Sequence, residues 1–171
     1  MNYKKIALVG MMGSGKSTIS AALSKKLNYP CYEMDEIFVE QEKISIKDFF
    51  SKFNETQFRE KETKILEQIT KKDCFILSSG GGVVVVDKNR SLLFRDDILS
   101  IYLSIKPKSV LNRLKGDTTR PLLNVSNPLE EIEKIISTRE KFYNMANLKI
   151  EVDNKTIKQI VEEILDYANW N

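Results

Sequence analysis

The sequence predicts a three-layer α/β sandwich built on a five-stranded parallel sheet. Two patterns point to it: five short, nearly continuous apolar runs, and apolar residues at helical spacing between them. Strands that are apolar on both faces need helices over both, which is the arrangement of a parallel sheet. The length of 171 residues suits one domain with a single sizeable core, and no repeat, low-complexity tract or linker divides it.

The elements follow in order. Lys5 to Val9 (KIALV) reads as the first strand, and Ser17 to Leu27 as a helix, with Ile19, Ala22, Leu23 and Leu27 at helical spacing. Pro30 introduces a second strand, Cys31 to Met34, and a helix-rich stretch runs from Glu36 to about Lys71. Cys74 to Ser78 (CFILS), Ile98 to Leu103 (ILSIYL) and Leu148 to Val152 (LKIEV) are the remaining strands. The last helix, Thr156 to Tyr167, gathers Ile157, Ile160, Val161, Ile164 and Leu165 on one stripe.

Between the first strand and its helix lies Gly10-Met11-Met12-Gly13-Ser14-Gly15-Lys16-Ser17, a match to G-x-x-x-x-G-K-[ST] in the strand-loop-helix context the motif requires. Such a loop turns backbone N–H groups onto an anion and adds the positive end of a helix. A lysine here reaches the β and γ phosphates, and the serine hydroxyl ligates Mg²⁺. The sequence therefore predicts a purine-nucleotide phosphate site. No N/T-K-x-D follows a strand, as base reading in a small GTPase would need, and the third strand ends in glycines instead of the acids of a motor ATPase. A small-molecule kinase remains.

Composition narrows the chemistry further. The chain has no histidine, so the general base must be a carboxylate or a lysine, and His-ligated metal sites are excluded. The net charge of +3 comes from interspersed residues, with no basic block for nucleic acid; even Arg59 to Lys64 (REKETK) alternates in sign as a solvated helix face does. No apolar run is long enough to span a bilayer, and glycines and Lys16 interrupt any N-terminal signal-like stretch. The expectation is a cytoplasmic monomer, with no membrane or nucleic-acid partner. Cys31 and Cys74, isolated in apolar surroundings, are expected to be reduced core residues.

Glycine and arginine placement carries the rest. Three of only seven glycines are adjacent, Gly80, Gly81 and Gly82, at the carboxyl end of the third strand, where a ligand can approach the backbone closely. Lysine outnumbers arginine 21 to 6, yet Arg59, Arg113, Arg120 and Arg139 sit near loops or short motifs, as expected of anion-binding groups.

These motifs together resemble the shikimate kinase family, of the nucleoside-monophosphate-kinase-like P-loop fold. The likeness covers nearly the whole chain: the loop Gly10 to Thr18, Glu33-Met34-Asp35, Phe58-Arg59, Gly80 to Gly82, Arg120-Pro121-Leu122-Leu123, and Arg139 with Tyr143. It implies strand order 2-3-1-4-5 and one kinase domain over residues 1–171, with a substrate-binding region at about 33–62 and a lid at about 116–126. The implied reaction is ATP-dependent phosphorylation of the 3-hydroxyl of shikimate, giving shikimate 3-phosphate and ADP in chorismate and aromatic amino acid biosynthesis.

The resemblance also implies roles. Asp35 would be the base on the accepting hydroxyl, with Lys16 and Arg120 on the transferring phosphoryl group. Gly13, Ser14, Gly15, Lys16, Ser17 and Thr18 would bind ATP with Arg113 and Arg120, Arg113 stacking on adenine. Arg59 and Arg139 would clamp the shikimate carboxylate, with Gly80, Gly81 and Gly82 lining the same pocket. Mg²⁺ would be held by Ser17 and, through water, by Glu33. The family usually has Asp-x-Asp where this chain has Glu33-Met34-Asp35. Another P-loop kinase, such as a gluconate kinase, and a non-catalytic nucleotide-binding protein are the alternative readings.

Overall fold

The computed structural model describes residues 3–115 and 125–170. Five parallel strands, β1 (Lys5–Val9), β2 (Cys31–Glu33), β3 (Phe75–Ser78), β4 (Leu99–Ser104) and β5 (Leu148–Glu151), form one sheet in the order β2-β3-β1-β4-β5. That is the expected topology, and each strand boundary falls within about one residue of its prediction, the usual uncertainty of an element end.

Eight helices connect and flank the strands among the described residues: α1 (Lys16–Leu27), α2 (Met34–Glu42), α3 (Ile46–Lys52), α4 (Glu55–Thr70), α5 (Asp87–Leu93), α6 (Pro107–Leu114), α7 (Pro128–Tyr143) and α8 (Ile157–Tyr167). The stretch read from the sequence as broadly helix-rich is three helices. Lys43 ends α2 in the left-handed region, Ser45 caps α3 by accepting from the Asp48 N–H, and Asn54 with Gln57 forms a capping box on α4. Each such cap is worth about 1 kcal/mol and fixes where a helix starts.

The two-residue period of the strands splits the core into two layers. Ile6, Leu8, Ile76, Leu99, Ile101 and Leu103 face α1, α6 and α8, whereas Ala7, Val9, Phe75, Leu77 and Tyr102 face α2, α4 and α5. Helix α7 joins both, with Ile132 in the first layer and Tyr143 in the second. This lays α7 across the carboxyl edge of the sheet, where β1, β2 and β3 end in Val9, Glu33 and Ser78.

Cys31 and Cys74 carry free thiols, as expected, but are half-buried and not part of the core. Cys31 lies on the edge strand β2, and Cys74 one residue ahead of β3. No described helix is long and apolar enough to cross a membrane.

Candidate active site

The loop after β1 has the backbone its motif predicts. Gly10, Gly13 and Gly15 all take positive φ, and a Cβ on Gly10 would stand 2.6 Å from the Leu103 carbonyl oxygen. Gly15 is the N-cap of α1, contributes no side-chain cap, and no acid occupies the first turn. The first N–H groups of α1 thus receive no cap from Gly15, and such a helix start favours an anion. Lys16, buried at 8% exposure, donates from Nζ to the Gly10 and Met11 carbonyls at 2.9 and 3.0 Å. Arg113, in the last turn of α6, donates to the Gly13 carbonyl at 2.9 Å and so ties α6 to the loop.

A cavity of about 680 Å³ continues from this loop past the ends of β2 and β3. Gly13 to Thr18, Glu33, Asp35, Arg59, Gly80 to Gly82, Arg113 and Arg139 all line it, so the structure gathers every described site residue predicted from the sequence into one cleft. Arg120, and residues 116–124 of the lid expected at about 116–126, lie outside the described residues.

The three glycines let side chains pack onto bare backbone. A Cβ on Gly80 would lie 2.6 Å from a Glu62 carboxylate oxygen and 3.6 Å from Asp35 Oδ1, and one on Gly82 only 2.3 Å from an Arg59 guanidinium nitrogen. Gly81 sits against the phosphate loop itself, 3.2 Å from the Met12 nitrogen by the same measure. Its carbonyl accepts from Arg139 Nη1 at 3.3 Å and from the Tyr143 hydroxyl. Tyr143 is fully buried and stacks on Tyr102 with ring centroids 5.0 Å apart; burial pushes its hydroxyl up to about 12. It therefore remains a neutral donor at physiological pH.

Sequence reasoning missed Glu62. It is buried at 3% exposure, accepts from Arg59 Nη1 at 2.7 Å, and faces Gly80, while Glu55 takes the other side of the same guanidinium at 3.2 Å. Burial raises the Glu62 carboxyl above the ordinary carboxylate range; Arg59 works against that shift, and Asp35 adds to it. The run Arg59 to Lys64 is therefore not the uniformly solvated face expected, because Arg59 and Glu62 turn inward. A signal existed: Glu62 interrupts the stripe Phe58, Ile65, Leu66 and Ile69, all buried, at helical spacing. An acid within an apolar stripe is costly unless paired, and Arg59 one turn earlier is its partner.

At the end of β2, Glu33 reaches α1, where it accepts from Ser17 Oγ at 2.9 Å and from Ser20 Oγ at 2.8 Å. Ser78 Oγ lies 3.5 Å from Ser17 Oγ. The described residues hold no group of three or more His, Cys, Asp or Glu placed to cage a metal. A cation here would take its ligands from phosphate oxygens and the Ser17 hydroxyl, with Glu33 behind them. This hard oxygen set suits Mg²⁺.

The family model for shikimate kinase matches residues 12–169. The chain belongs to the shikimate kinase family. It is 41% identical over 162 residues to a shikimate kinase of Sulfurihydrogenibium sp. (strain YO3AOP1), an alignment covering 95% of this chain and 96% of that one. It is 35% identical to a shikimate kinase of Geobacter sulfurreducens, covering 96% and 91%. Among solved structures, the shikimate kinase from Acinetobacter baumannii in complex with shikimate superposes with a TM-score of 0.93 at 29% identity, covering 99% of this chain and 94% of that one. A gluconokinase from Sinorhizobium meliloti shares the fold, at a TM-score of 0.62 and 16% identity. Family membership thus decides between the alternatives left open by the phosphate loop.

Proposed function

We propose that this shikimate kinase family member transfers the γ-phosphoryl group of ATP to the 3-hydroxyl of shikimate, giving shikimate 3-phosphate and ADP. The observation that carries this reading is the shared cleft: a nucleotide-phosphate loop and a pocket with Arg59, Arg139 and the carboxylates of Asp35 and Glu62, meeting at Gly81.

In this reading the N–H groups of Gly13 to Thr18 and the Lys16 ammonium bind the ATP phosphates. Lys16 exchanges its loop carbonyls for phosphate oxygens, and Arg113 lies at the nucleotide end of the cleft. Arg59 and Arg139 hold the shikimate carboxylate, and residues 33–62 supply much of the substrate pocket. Asp35, in the first turn of α2 and beside Gly80, accepts the proton of the attacking hydroxyl. Phosphoryl transfer has a loose transition state that needs alignment and charge neutralisation more than a strong base. A carboxylate therefore suffices in a chain without histidine. Ser17 and Glu33 are the residues that would hold Mg²⁺, which when bound supplies positive charge at the phosphates.

A coupled assay of ADP release with ATP and Mg²⁺ tests the proposal, shikimate in one arm and gluconate in the other. Turnover with shikimate alone is expected. Turnover with gluconate alone, or with neither, would overturn the reading.

A further inference from the structure

We propose that Ser20 is a positioning residue for the divalent-cation site: its hydroxyl anchors Glu33 so that the second carboxylate oxygen stays on the Ser17 hydroxyl. The inference rests on the reading above, in which Ser17 ligates the cation that accompanies the nucleotide.

Ser20 lies one turn after Ser17 on α1 and is completely buried. Alanine would suit a buried helix interior better, with higher helix propensity and no polar group to desolvate. The hydroxyl has three acceptors in reach, Glu33 Oε1 at 2.8 Å, the Ser17 carbonyl oxygen at 2.9 Å and the weakly accepting Cys31 sulfur. It has one proton to give. An ionised carboxylate is the stronger acceptor, so the proton goes to Glu33, and the bond back to the helix carbonyl is the lesser alternative.

The consequence lies in the freedom of Glu33. Glutamate has one more side-chain torsion than aspartate, and its terminal carboxylate torsion is broad. Held only by Ser17, the carboxylate could swing away from α1. Held at Oε1 by Ser20 and at Oε2 by Ser17, it spans two hydroxyls one helical turn apart and has one orientation. Ser17 then spends its proton on Glu33 and keeps its oxygen lone pairs for a cation. Groups that orient a metal ligand from behind in this way change metal affinity by about 10- to 100-fold when removed.

Titration calorimetry of the full chain with ADP, once in Mg²⁺ and once in EDTA, measures how strongly the cation and nucleotide support each other. For Ser20→Ala the ratio of the two affinities should fall about tenfold, with the affinity in EDTA within about twofold of the parent. In a Glu33→Asp background the shorter side chain cannot span both hydroxyls, so Ser20→Ala should change the ratio little further. The proposal is overturned if Ser20→Ala leaves the parent ratio intact, if it lowers both affinities equally, or if its effect is the same in both backgrounds. A parent whose ADP affinity ignores Mg²⁺ would instead remove the cation-site reading beneath it.

Discussion

Replacing Gly82 with alanine isolates the role of Arg59, because it moves the arginine without removing it. Gly82 has φ −98° and ψ 1°, which alanine adopts, so the backbone has no reason to rearrange. The new methyl, however, would lie 2.3 Å from one guanidinium nitrogen and 2.7 Å from the guanidinium carbon. Ordinary contact begins near 3.4 Å, so the guanidinium must retreat by about 1 Å. A misplacement of that size in a substrate-orienting group costs about 100-fold in rate. Gly82→Ala should therefore lower kcat/KM for shikimate about 100-fold, with ATP affinity within about twofold and the melting temperature nearly unchanged. Steady-state kinetics with each substrate varied, together with thermal unfolding, measures all three. In an Arg59→Ala background the same substitution should add little, since both act through one group. A kcat/KM within threefold of the parent would refute the argument, and so would a full additional loss in the Arg59→Ala background.

Other substitutions probe neighbouring contacts. Tyr143→Phe keeps the stack on Tyr102 and removes only the bond to the Gly81 carbonyl; a net hydrogen bond is worth about 1 kcal/mol, so the shikimate KM should rise about fivefold with ATP binding unchanged. Asp35→Asn should lower turnover about 1000-fold while calorimetry shows ADP binding retained. Arg139→Ala should act chiefly on the shikimate KM; an unchanged KM would reject its place on the carboxylate. Away from the site, the Lys5 ammonium, reinforced by Arg95, holds the Asp97 carboxyl below its ordinary value of 3.8. Its stabilisation is therefore present above that value and lost as the pH falls. Asp97→Asn should cost about 0.5 kcal/mol in urea unfolding at pH 7, and the deficit should close as the medium is brought below about pH 4.

The sheet was legible because strands buried on both faces are written as uninterrupted apolar runs, as in β3 and β4. Two helix starts in the 34–70 stretch were also written, by Ser45 with Asp48 and Asn54 with Gln57, but caps become persuasive only once the left-handed break at Lys43 is known. The phosphate loop was readable because its chemistry is local, carried by backbone over eight residues. Contacts between elements were not. Nothing in the order of residues says that Ser20 and Glu33 meet, or that the Tyr143 hydroxyl ends on Gly81, since each pair is set by how helices lie on the sheet edge. Glu62 falls between these cases: its place in an apolar stripe was visible, and the direction that stripe faced was not.

The packing of Gly81 against the main chain at Met12, so close that a Cβ on Gly81 would lie 3.2 Å from the Met12 nitrogen, couples two stretches of sequence that lie about seventy residues apart. Met12 is a position where the phosphate-loop motif accepts any side chain, yet it lines the same cleft as Gly81. Neither loop can then drift or be exchanged as a self-contained cassette. A phosphate loop transplanted from another kinase would have to reproduce the path of the backbone at Met11 and Met12 as well as the motif letters. In the proposed reading, specificity for the acceptor is in this sense partly inherited through the nucleotide loop.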